Sequence, residues 1–473
     1  MIRSRLQRAM LALALAAAAP LAAHPPDTDP QIAPFLYADA PVYALVHARV
    51  IDGTGAAPQD DRTVLVRDGR IEAIGASGEI AVPADAHVID MTGRSVLPGL
   101  VHLHEHLWTY AGAPLSVPVT YPRLYLSGGV TSMRTAGAYH PYADLKAKRD
   151  IDAGRAAGPW MDLTLYTGAL ATPPLETRED TERYLDFWLD SGFSSVKIYA
   201  YTGPEQARWI IDASHARGAK VLGHLCNTLY TDASKLGIDH LEHGFIFTPD
   251  FVPEIRDGKA TGRACQMPAL RSMDHVDIDS PEVDALFRTL IDNGTYVTST
   301  LPALEDLLPR GGAAEGHDLL PDFMQAHYRR YRDSVESGAA PTLSEDALAR
   351  AIALELKFLR AGGRLVVGTD STVPSGGVIP GFSAARQLEL MVEHGFTPME
   401  VIRLSTLEGA RALERDALVG SIEAGKQADL LVVDGDPLQD ISDLRKVRIV
   451  FKQGVAFDPE KLRESVRGQI GIQ

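Results

Sequence analysis

The sequence predicts an α/β protein: a (β/α)8 TIM barrel with a small β-sandwich domain formed from both chain ends. Three observations point there. Short alternating apolar segments punctuated by Gly and Asp, YALVHARVID, RTVLVRDGRIEAIG and AHVIDMTG, lie near the start. The same texture returns near the end, in ADLLVVDGD and VRIVFKQGVAF. Between them, eight apolar segments of strand length alternate with stretches of helical periodicity.

Residues 1–23 read as a secretory signal peptide. Arg3, Arg5 and Arg8 precede the apolar run LALALAAAAPLAA, with cleavage expected near Ala22 or Ala23. An uncleaved anchor is the alternative, disfavoured by the shortness of the run. The mature protein is then expected to be periplasmic or secreted. Residues 24–41, rich in Pro and Asp, read as an extended linker. Residues 42–96 form the first part of the β-sandwich domain, 97–415 the barrel, and 416–473 the second part with a C-terminal tail.

The eight barrel strands are expected at 97–106, 129–135, 161–167, 193–200, 219–225, 237–244, 294–300 and 364–370. Helices such as EQARWIIDASHARG and EDALARAIALELKFLRAGG lie between them. Two connections, 245–293 and 301–345, are long, and barrels place long loops of this kind over the active site.

The composition is that of an ordinary globular protein, 45% apolar and 23% charged. A formal net charge of −16 argues against nucleic acid as a partner. No stretch after the signal peptide looks like a membrane span. Cys226 and Cys265 are the only cysteines. Two are too few for a disulfide framework, and two unpaired thiols are at least as good a reading as a bridge.

Barrel enzymes carry their chemistry at the C-terminal ends of the strands. The stretch VLPGLVHLHEHLW (96–108) places His102, His104 and His106 on one face of the first strand. The fourth strand carries Lys197, the fifth His224, the sixth His243 and the eighth Asp370. Taken singly, a strand-end histidine is an ordinary hydrogen-bonded residue, and an Asp in GTD an ordinary helix cap. Lys197 sits among apolar neighbours, where a lysine needs a partner. Imidazoles and carboxylates converging on one mouth point to a metal site.

These motifs resemble the amidohydrolase superfamily, and within it the imidazolonepropionase-like branch that includes Xaa-Pro dipeptidases. The resemblance runs from about residue 43 to 457. It rests on Pro98-Gly99 through His104 and His106, GVTSMRTAG, GFSSVKIYA, AKVLGHL, HLEHG, VVGTDS and GSIEAGKQADLLVVDGDPL. It implies that His104, His106 and Asp370 hold one divalent metal ion and that His224 and His243 hold a second. Lys197, as a carbamate, would bridge the two. Zinc is the expected metal, with Mn, Fe and Co left open. A metal-activated hydroxide would attack an amide or similar C–N bond of a small substrate, such as a dipeptide or N-acyl amino acid. Asp370 would carry the proton to the departing amine. The rivals are a mononuclear deaminase or cyclic-amidine hydrolase, and a lactone or phosphoester hydrolase on the same fold. A homo-oligomer stays open.

The sequence departs from the family pattern at four places. His102 stands where the family usually has Asp, and Thr135 where the second strand often has Asp. No Gly-Gly-His follows the third strand. Cys226 occupies the place where relatives with dipeptidase activity often have a carbonyl-polarising Tyr; Tyr199, Tyr201 and Tyr230 are the nearby substitutes. His102 is read either as a packed residue bonded to a neighbour or as one that orients a ligand imidazole. His240, three residues before His243, should face away from the site. His215 is expected to face solvent. Arg329, Arg330 and Arg332 read as a solvated helix face rather than a carboxylate clamp.

Overall fold

The computed structural model describes residues 28–168, 172–173, 175–259, 266–312, 315–372 and 375–472. The expected signal peptide, residues 24–27 of the expected linker, and Cys265 lie outside the described residues.

Both chain ends contribute to one antiparallel-rich sheet. Its strands run in the order Val455–Phe457, Val447–Lys452, Leu430–Asp434, Arg94–Pro98, Val42–Val50, Gln59–Arg67 and Arg70–Ala76. His87–Asp90 pairs beside the first half of Val42–Val50. The expected sandwich of two sheets is thus a single hydrogen-bonded sheet. Register shifts between Leu45 and Ala48, and between Ala48 and Val50, bend the long strand. The sheet curls until Val64, Val66 and Ile71 share a core with Leu430, Val432, Ile449 and Phe451.

The expected linker is not extended where it is described. Ala33–Phe35 form a 3-10 turn, Ile32 and Leu36 are buried, and Leu36 bridges Phe457. Apolar side chains at that spacing gain more by docking on the last strand than by staying in water.

The middle of the chain supplies the parallel strands: β1 (Leu100–Glu105), β2 (Val130–Thr135), β3 in two stretches (Trp160–Asp162 and Thr164–Thr167) and β4 (Ser195–Ile198). They continue as β5 (Lys220–Gly223), β6 (His240–Glu242), β7 (Tyr296–Ser299) and β8 (Arg364–Val367). A three-stranded sheet takes the first stretch of β3, then β2 and β1; a six-stranded sheet runs from the second stretch of β3 through β8. An Ala138–Leu165 bridge links β2 to β3. At the other edge, the N–H groups of Thr369 and Asp370 donate to the His104 carbonyl, joining β8 to β1. One boundary differs from expectation. Leu97 and Pro98 pair with Leu431 and Leu430 in the first sheet, so β1 begins only at Leu100. Pro98 lacks an N–H and Gly99 packs against Thr131, which together end one strand and start the next.

Helices cover the parallel strands. Pro204–Ala216 buries Ala207, Ile210, Ile211 and Ser214, a stripe of helical period. Thr177, Ser280, Ser344 and Thr397 cap their helices with side-chain oxygens. The two long connections are largely helical, with segments that include Pro281–Asp292 and Asp322–Glu336.

The helix Glu345–Arg360 buries Ala347, Leu348, Ala351, Ile352 and Phe358, and within that stripe also Glu355. Burial pushes its carboxyl up from 4.5 to about 8, partly offset by a hydrogen bond from Ser299. Between those two values the unfolded chain is ionised while the folded chain keeps the proton. Stability is therefore full below the lower value, falls as pH rises through the window, and levels off above it. Glu355→Gln keeps the shape without the proton. Its Tm is expected to gain on wild type as pH rises from about 5 to about 8; a difference that does not change with pH would contradict this.

Candidate metal centre

The centre forms where β1, β6 and β8 end. His104 on β1 and His106 one residue past its end flank Glu105, and both imidazoles come up against Asp370. His104 Nε2 lies 3.7 Å, and His106 Nε2 3.2 Å, from Asp370 Oδ1. His243 Nδ1 lies 3.7 Å from Asp370 Oδ2. One donor atom each from His104, His243 and Asp370 fall within 4.8 Å of one another, a group that could hold a metal ion. The His224 ring stands 4.6 Å from that of His243. Lys197 is buried and close enough to act electrostatically on His104, His224 and His243.

Two of these residues hold left-handed backbone. His243 has φ 68° and Asp370 φ 50°, in the left-handed region that side chains other than Gly, Asn and Asp rarely occupy. Hydrogen bonds over-determine both turns. The Gly244 N–H donates to Thr298 O, and the Asp370 N–H to His104 O. Gly244 itself has φ +60°, and a Cβ there would meet Glu355 Oε1 at 2.0 Å.

Hydrogen bonds also set the imidazole tautomers. His104 Nδ1 donates to Glu242 Oε2, and His106 Nδ1 donates to Gly137 O at 3.2 Å. With Nδ1 carrying the proton, Nε2 is left as the lone-pair donor that faces Asp370. Glu242 is fully buried and also accepts from Arg134 Nη2 at 3.3 Å. Arg134 in turn donates to Leu103 O. Nearby, His102 Nδ1 donates to Glu105 Oε1 at 2.8 Å and Thr369 Oγ1 to Glu105 Oε2 at 2.6 Å. This buried chain ties β1 to the turn that carries Asp370.

The electrostatics suit a cation. Burial, then the charge of Lys197, holds His104 well below its ordinary value. The same two causes bring His224 down to about 3. Burial, then His104 and His224, holds His243 well below. Neutral imidazoles are the form that binds metal. Burial alone would raise the Asp370 carboxyl, but His104, His106 and His243 outweigh it and hold it well below the usual carboxylate range. Burial brings the Lys197 ammonium down to about 8, against the pull of Glu242 and Asp370.

The remaining sequence-derived candidates divide. Tyr199 packs at the mouth with its ring 4.9 Å from that of His224, and Tyr201 lies edge-on behind it. Tyr230 does not reach the mouth: it begins a helix, is fully buried, and its hydroxyl donates to Glu242 O. Nearness in sequence to Cys226 therefore does not bring its hydroxyl to the site. His240 is buried on the opposite face, stacked on Tyr296. His215 is half-exposed and pairs with Asp239. Arg329 and Arg330 are exposed, while Arg332 donates to the carbonyls of Asp306, Leu308 and Pro309, holding a loop rather than a ligand. Cys226 is disulfide-bonded, so the reading of unpaired thiols does not hold for it. Glu242, Arg134 and Glu105 escaped the sequence reading. The only available signal was that each charged residue sits inside an apolar strand, where charge needs a partner.

Comparison with known proteins identifies the family. The model of the Amidohydrolase family matches residues 95–456. An imidazolonepropionase from Geobacillus sp. (strain WCH70) is 25% identical over 403 residues, covering 79% of this chain and 84% of that protein. The crystal structure of a putative prolidase from Bifidobacterium longum superposes with a TM-score of 0.66 at 25% identity, covering 90% of this chain and 98% of that one. That of a Xaa-Pro dipeptidase with bound methionine in the active site gives 0.62 at 21% identity, covering 88% and 100%. Among the described residues no helix is long and apolar enough to cross a membrane. The chain belongs to the amidohydrolase family, metal-dependent hydrolases that act on carbon–nitrogen bonds.

Proposed function

We propose that this protein is an exported, binuclear metal-dependent amidohydrolase. It would cleave the amide or similar C–N bond of a small substrate such as a dipeptide or N-acyl amino acid. The observation that carries the reading is the convergence of the His104, His106 and His243 imidazoles on the Asp370 carboxylate at the ends of parallel strands. On this reading the two parallel sheets close as one (β/α)8 barrel, with the strand ends forming its mouth. His104, His106 and Asp370 would hold one ion, His224 and His243 the other, and Lys197 would bridge them as a carbamate. The donor set fits zinc.

When bound, the metals would acidify a water and polarise the scissile carbonyl. The chain's own residues do the rest. Glu242 and the Gly137 carbonyl hold the His104 and His106 rings in the tautomer that presents Nε2. The Thr372 hydroxyl donates to Asp370 Oδ1 at 2.9 Å and orients that carboxylate. Asp370 takes the proton from the attacking water and returns it to the leaving nitrogen. Tyr199, beside His224, is the nearest described candidate to steady the carbonyl oxygen. A disulfide at Cys226 suits an oxidising compartment, which supports export.

A mononuclear reading, as in a deaminase or cyclic-amidine hydrolase, draws on the tight group of His104, His243 and Asp370. The buried Lys197 favours two ions over one. The test is a screen of dipeptides and N-acyl amino acids with the zinc-loaded protein. Release of free amine that chelation abolishes is expected. Turnover confined to exocyclic amines or cyclic amidines would favour the mononuclear rival, and turnover of lactones or phosphoesters alone would overturn the amide assignment.

A further inference from the structure

The imidazoles of the centre are ringed by aromatic side chains, of which the chemistry calls on Tyr199 alone. Trp108 lies 5.2 Å from His106 and 5.3 Å from Tyr139, ring to ring. Tyr166 stacks on His106 at 6.5 Å and 19° and meets Tyr199 edge-on at 6.0 Å. Phe247 stacks on His224 at 4.9 Å and 27° and lies 5.6 Å from His243. Ring contacts thus run from β1 and β2, past β3 and β4, to the segment after β6.

Tyr166 is buried, and its place is built into the backbone. Gly137 has φ +127°, and a Cβ there would meet the Tyr166 ring at 2.3 Å. Trp108, Tyr139, Tyr199 and Phe247 are each only partly buried. Trp108 Nε1 already donates to Gly137 O, so the indole offers its apolar face and not its N–H. Large rings left partly open beside the proposed catalytic centre keep apolar area in water, a cost that a ligand can remove.

We propose that the preferred substrates carry an aromatic ring on a group adjoining the scissile C–N bond, seated against Trp108 and Tyr139 on one side of the mouth or Tyr199 and Phe247 on the other. The proposal rests on the amide-hydrolysis reading above and narrows it to a substrate class.

The test compares N-acetyl-alanine, N-benzoyl-alanine and N-acetyl-phenylalanine, which share one bond and differ by a ring on the acyl or the amine side. With the full-length zinc-loaded protein, at least one ring-bearing substrate is expected to exceed N-acetyl-alanine in kcat/KM by about 100-fold. Trp108→Ala or Phe247→Ala should shrink that ratio by about tenfold, mainly through KM. Phe247→Leu, which keeps apolar volume without a ring, should shrink it too and guards against misfolding. A wild-type ratio near one, or a ratio that none of the variants alters, would overturn the inference while the amidohydrolase reading stands. No hydrolysis of any of the three by protein carrying its metals would overturn the substrate reading on which it rests.

Discussion

Asp370→Asn is expected to lower kcat by about 10²–10⁴-fold, the usual worth of a positioned acid–base group. The substitution isolates chemistry from architecture. Asn tolerates the left-handed backbone that Asp370 adopts at φ 50°, so the turn should survive. It keeps a carbonyl oxygen that can accept from Thr372. It loses the anionic charge that three surrounding histidines now stabilise, and with it the capacity to take and return a proton. Stopped-assay rates with zinc-loaded protein, alongside thermal melting, would show a large loss of kcat with Tm nearly unchanged. Wild-type kcat in a folded Asp370→Asn protein would remove Asp370 from the proton path.

The second large effect belongs to Glu242. Its carboxylate accepts from His104 Nδ1 and from Arg134 Nη2, and all three side chains are buried. Glu242→Ala would leave the Arg134 guanidinium in the interior with only a carbonyl for company. Breaking a buried pair from one side costs about 3–5 kcal/mol. It would also free His104 to adopt the wrong tautomer. Glu242→Gln keeps an acceptor and the volume, so it should spare most of the stability. Its metal affinity should still drop by about 10–100-fold. Denaturant unfolding reads the first variant and chelator competition the second. An alanine variant with unchanged unfolding midpoint and metal affinity would show that Glu242 neither supports the interior nor orients His104.

Much of this centre was legible in the sequence because strands obey a period of two. His104 and His106 had to share a face, and Lys197, His224, His243 and Asp370 stand at the ends of apolar runs that fold as parallel strands. What stayed hidden is three-dimensional. Glu242 directly precedes His243, and alternation would turn it away from the site; only the three-dimensional structure shows its carboxylate reaching His104 and Arg134. Tyr230 is a candidate only for its nearness to Cys226 in sequence; the helix that it begins turns its hydroxyl to Glu242 O instead. The curl of the terminal sheet depends on bulges near His47, which alternation alone does not mark. The docking of Ile32 and Leu36 depends on a strand more than 400 residues later in the chain. His102 and Glu105 complete the picture. The histidine that departs from the family pattern is bonded to a carboxylate three residues on, which in turn grips Thr369 beside Asp370.

The central claim is that two ions share this mouth with Lys197 between them. Metal content per chain, measured on the zinc-loaded wild type and on Lys197→Ala, tests it most directly. Close to two ions in the wild type, falling to one or fewer in the variant together with activity, is the predicted result. A single ion in the wild type, with content and activity unchanged in Lys197→Ala, would contradict it.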